Sequence, residues 1–123
     1  MARVFLDANV FIDLVEKRKH ITPGQFSAHD VFVSALSVHI LLYITKRKIP
    51  YPCLTELLQT LTLVPVTELF VQKALENPTK DFEDNIQLHS AVEADCEMFL
   101  TADKKLLKLG SFGKTKIASS MPQ

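Results

Sequence analysis

The stretch VFLDANVFIDL, residues 4–14, constrains the fold more than any other. Its first part is apolar with no polar alternation, so it reads as a strand buried on both faces, as in a parallel sheet. Parallel strands need long crossover connections, usually helical. The continuation supplies one. Val10, Phe11, Leu14 and Val15 form an apolar side, Glu16 to Lys19 form a wet end, and a helix is expected over 10–19. Asn9 is the expected N-cap.

The same alternation runs through the rest of the chain. Residues 31–33 form the second expected strand, and Ser34 can cap a helix over 35–46 that closes on Lys46, Arg47 and Lys48. Pro50 and Pro52 interrupt, and a short helix over 53–60 follows. The third strand, 61–66, carries Pro65, which suits a strand end or sheet edge. Helices are expected over 68–76 and 81–95, a fourth strand over 97–100, a short helix over 104–109 and a fifth strand over 114–119. Strands alternating with helices imply an α/β fold, a mostly parallel sheet of about five strands covered on both faces. At 123 residues the chain is expected to be a single domain, 1–123.

Composition narrows the function. With only Gly24, Gly110 and Gly113, neither a dinucleotide fingerprint nor a phosphate-binding P-loop can be built. No apolar run reaches the roughly 20 residues a membrane span needs, and the N-terminus, with Asp7 inside its first apolar run, is a poor signal peptide. Cys53 and Cys96 have no CxxC spacing, so a reduced, cytoplasmic setting is expected. Net charge is zero, which argues against strong nonspecific binding of nucleic acid. The charges are nevertheless unevenly spread. Residues 51–103 carry two basic and ten acidic side chains, and residues 104–123 carry five lysines and no acid.

Three aspartates occupy comparable positions. Asp7 ends the first strand, Asp84 lies in the first turn of a long helix, and Asp103 follows the fourth strand. In an open α/β sheet, ligands bind outside the carboxyl ends of the strands. If the first and fourth strands are neighbours, the three carboxylates converge there. Oxygen ligands of this kind suit Mg2+ or Mn2+. The competing reading makes Asp84 a first-turn acid favoured by the helix dipole and Asp103 a helix cap. Asp7 is harder to dismiss, because a charge ending a buried strand needs partners.

The chain resembles the PIN domain, particularly the small stand-alone kind that serves as the toxin of bacterial and archaeal toxin–antitoxin pairs. The resembling pieces are VFLDANVFIDL at 4–14, VSALSVHILLY at 33–43, DFEDNIQLHSA at 81–91 and FLTADKKLL at 99–107. The resemblance implies a three-layer α/β/α fold. It implies a metal-dependent endoribonuclease hydrolysing RNA phosphodiester bonds, with Asp7, Asp84 and Asp103 binding Mg2+ or Mn2+. Thr101 would orient a carboxylate, and Asn9 would fix the Asp7 loop. RNA is the implied substrate, and a small antitoxin protein and a homodimer are the implied partners. One position departs from the family. Ile40 stands where a glutamate is usual, with His39 beside it, Asp81 as a candidate to supply the missing charge and Glu83 as a weaker substitute.

The rival reading is a catalytically impaired PIN-like module that binds RNA or a protein partner, favoured by Ile40. A flavodoxin-like or receiver-type signalling domain fits less well, because a receiver wants an acidic pair near the first strand. His39, among Val38, Ile40 and Leu41, reads more readily as a packed histidine than as a ligand. Cys53 and Cys96 read as small hydrophobes. Lys104, Lys105 and Lys108 suit contacts to a phosphate backbone, or simply form the solvated side of a short helix.

Overall fold

The computed structural model describes residues 1–18 and 22–121; Lys19 and His20 lie outside the described residues. In chain order the elements are β1 (Arg3–Leu6), α1 (Ala8–Val15), a 3-10 turn (Pro23–Phe26), β2 (Asp30–Ser34), α2 (Ala35–Thr45), α3 (Pro52–Leu58), β3 (Thr62–Val64), α4 (Glu68–Ala74), α5 (Phe82–Glu93), β4 (Met98–Leu100), α6 (Lys104–Leu109), β5 (Ser111–Phe112) and β6 (Thr115–Ala118). The strands form one sheet in the order β3-β2-β1-β4-β6-β5. Every pairing is parallel except β5 with β6.

The sheet has six strands rather than about five. The extra one is the two-residue β5, turned back onto β6 through Gly113 at φ 60. That left-handed value is one a glycine adopts without strain. The β3 strand lies at the opposite edge, as Pro65 suggested.

The two-residue period of a strand sorts the core into layers. Val4 and Leu6 of β1, with Met98 and Leu100 of β4, pack against Val10, Phe11 and Leu14 of α1, Leu41 of α2 and Leu54 of α3. Phe5 and Phe99 face the other way, towards Phe70 of α4, Ile86 and Leu88 of α5, and Leu106 of α6. Phe5 and Phe99 are register partners across β1 and β4, and their rings stack at 5.5 Å between centroids, 8° from parallel. Such a pair contributes about 0.5–1.5 kcal/mol beyond the area it buries. Three helices on each face make the three-layer α/β/α arrangement. Cys96 is buried in the second layer, where burial pushes its thiol up to about 12, while Cys53 is exposed.

The sheet order sets the site. From β1 the chain builds outwards through β2 to β3, then returns to place β4 on the other side of β1. The crevice between the carboxyl ends of β1 and β4 is therefore a switch point, where open α/β sheets bind ligands. No helix among the described residues is long and apolar enough to cross a membrane.

Candidate functional site

Asp7 is the first residue past β1. Its N–H donates to the Leu100 carbonyl at 2.9 Å, extending the β1–β4 ladder to the end of β4. It is also the N-cap of α1. Its Oδ1 accepts from the Ala8 N–H at 2.8 Å, and the expected cap, Asn9, lies inside the helix. The helix consequently starts at Ala8 and ends at Val15, earlier at both ends than the expected 10–19. The Thr101 hydroxyl donates to Asp7 Oδ2 at 2.7 Å. Asp7 is only 4% exposed. Burial raises its pKa, hydrogen bonds from Thr101 and Ala8 oppose that rise, and the charges of Asp103 and Asp81 add to it.

Thr101 ties the two strand ends together. While its hydroxyl donates to Asp7, its Oγ1 accepts from the Asp103 N–H at 3.0 Å. Asp103 is the N-cap of α6, its Oδ1 accepting from the Lys105 N–H at 2.8 Å. Asn9 is exposed, and its Oδ1 receives the Ala102 N–H at a long 3.5 Å.

Asp84 comes from the other helical layer. Asp81 caps α5, its Oδ1 accepting from the Asp84 N–H at 2.9 Å, which fixes the first turn. Asp84 is pushed up to about 7. Burial is the largest cause, followed by repulsion from Asp81, Asp7, Asp103 and Glu83. At neutral pH this side chain therefore exchanges a proton readily.

Asp7, Asp84 and Asp103 line one cleft of about 210 Å3, with Ala8, Asn9, Ile12, Ile40, Ile44, Glu83 and Gln87. The structure thus brings the three aspartates to one crevice, with Asn9 at its wall and Thr101 buried beneath. A larger depression of about 360 Å3, with Leu14, Phe26, Leu57 and Leu61 in its wall, contains no carboxylate.

The expected Mg2+ or Mn2+ site is corrected by this geometry. Among the described residues, no group of three or more His, Cys, Asp or Glu side chains is arranged to hold a metal ion. The physical reason lies in the cleft lining, where the apolar Ile40 takes the place at which the resemblance implies a glutamate. Two further isoleucines, Ile12 and Ile44, share the wall with Ala8, Asn9, Glu83 and Gln87. Of the candidates for the missing charge, His39 is exposed and stacks on Tyr43 at 6.3 Å, Asp81 is exposed and caps α5, and Glu83 lines the cleft.

One cleft residue, Gln87 of α5, was not anticipated from the sequence. It is buried, as is Ser37 of α2, and Gln87 Nε2 donates to Ser37 Oγ at 3.0 Å. This contact joins helices from opposite layers across the end of the sheet. A signal was present, since Gln87 lies three residues after Asp84 and Ser37 three before Ile40, each pair on one helical face.

The chain is similar in fold to a solved structure, that of VapBC2 from Rickettsia felis bound to a DNA fragment from their promoter. The TM-score is 0.63 at 13% identity, over 94% of this chain and 97% of that one. No curated protein matches the chain. The family profile of the PIN domain matches residues 3–105. With the match spanning every strand of the parallel core up to β4 and all three cleft aspartates, the chain belongs to the PIN-domain family.

Proposed function

We propose that this PIN-domain protein is an endoribonuclease that cleaves RNA phosphodiester bonds in the aspartate cleft, and that it is the toxin of a toxin–antitoxin pair. The observation that carries the reading is the convergence of Asp7, Asp84 and Asp103 at the switch point, with Asp84 titrating at about 7. A general base works best with a pKa near the operating pH, and one so placed contributes about 10²–10⁴-fold. In this reading ionised Asp84 takes a proton from the attacking water as its oxygen bonds to phosphorus. The bond from phosphorus to the ribose oxygen then breaks, and that oxygen gains a proton from solvent. Asp7, sealed beneath the cleft, positions Thr101 and through it Asp103. Asn9 steadies the 101–103 loop through Ala102.

The test is cleavage of a labelled single-stranded RNA by purified protein at pH 7.5. Asp84→Asn is expected to slow cleavage by about 100-fold or more. No cleavage by the wild type, or an Asp84→Asn variant as fast as wild type, would overturn the reading. A second reading has its own support. Ile12, Ile40 and Ile44 give the cleft an apolar side, as suits a module that binds RNA or a protein partner without chemistry. Under it the wild type binds but never cleaves.

A further inference from the structure

An anionic cleft repels the polyanion that the proposed reaction requires, so the counter-charge must come from somewhere close by. The nearest cations along the chain begin at the residue after Asp103. Lys104, Lys105 and Lys108 of α6 are all exposed. At 3.6 residues per turn the three fall within about 100° of one another around the helix. Leu106, 1% exposed, lies on the far side and anchors α6 in the layer beside Phe99. The helix is therefore held by one face and offers three ammonium groups from the other.

Among the described residues none of the three is in an ion pair, and residues 104–123 contain no Asp or Glu. Arg3 and Arg47, by contrast, are committed. The Arg3 guanidinium donates to the Ala94 carbonyl at 2.6 Å, and Arg47 pairs with Glu16 at 2.9 Å. The shelf also has a fixed relation to the cleft. Asp103, which lines the cleft, caps the helix that carries the lysines, and Thr101 holds Asp103 against Asp7.

We propose that Lys104, Lys105 and Lys108 form a cationic shelf that holds the phosphate backbone of single-stranded RNA beside the aspartate cleft. The inference rests on the proposed ribonuclease function and names the surface that delivers its substrate. Flexible ammonium groups bind phosphates as point charges, so the shelf supplies affinity and register without reading bases.

The test is the salt dependence of binding to a fluorescently labelled, mixed-sequence RNA 12-mer, in an Asp84→Asn background that keeps the RNA intact. Each phosphate contact to a single strand contributes about 0.7 to the slope of log K against log salt, so three contacts contribute about 2. Replacing all three lysines by Gln is expected to lower the slope by about 2, while Lys73→Gln on α4 leaves it unchanged. If the triple variant fails to melt cooperatively, Lys105→Gln and Lys108→Gln are read singly, each lowering the slope by about 0.7. An unchanged slope, or no RNA binding at all, overturns the shelf. The two proposals fail separately. A lowered slope without wild-type cleavage keeps the shelf and sinks the ribonuclease, and cleavage with an unchanged slope does the reverse.

Discussion

Asp84 is the residue on which the chemistry turns. It starts from the usual aspartate value of 3.8 and is pushed up to about 7, first by burial and then by neighbouring carboxylates. The folded state therefore holds this proton more tightly than the unfolded chain does. The stability it lends is fully present below about pH 4 and is lost as pH rises through about 7. Asp84 is only half-buried, so screening by solvent reduces the effect to on the order of 1 kcal/mol. Asp84→Asn is accordingly expected to raise the melting temperature at pH 8 by a few degrees and to change it little at pH 4. Melting curves at the two pH values check this, and an Asn variant less stable than wild type at pH 8 would contradict it. The same curves with added MnCl2 are expected to superimpose. An ion bound at 100 times its Kd would add about 2.7 kcal/mol.

At the scale of the elements, the cleft depends on two helices from opposite layers keeping their places. Ser37 and Gln87 are both buried and satisfy each other. Removing one partner leaves the other unsatisfied, at about 1–3 kcal/mol. Ser37→Ala and Gln87→Met should each cost that much, and the double variant should cost clearly less than their sum. Chemical denaturation of the four proteins measures it, and strict additivity would show that the pair carries no coupling. The elements also show how far a sequence can be read. Helix α5 was legible because its pattern is the most regular in the chain, and β1 because its run is uniformly apolar. The two-residue β5 was not, since nothing that short carries a period. Nor could pattern alone decide between Asp7 and Asn9 as the cap, because both residue types cap helices well. The structure chooses Asp7, which ends a strand and starts a helix at once.

Across the whole molecule, the site is a consequence of sheet order. With β4 beside β1, residues 94 positions apart share a 2.7 Å hydrogen bond, Thr101 to Asp7. That convergence was legible from where the three aspartates fall relative to their strands. What they do when gathered was not, because each oxygen's partner depends on side-chain geometry that spacing does not encode. The three carboxylates meet in one cleft, where burial and then the charges of Asp81, Asp7 and Asp103 raise the proton affinity of Asp84. The direct measurement is a carbon-13 NMR titration of the Asp84 carboxyl in wild type, Asp7→Asn and Asp103→Asn. The expected midpoint is about 7 in wild type and lower in each variant. A midpoint near 3.8 that neither substitution moves would contradict it.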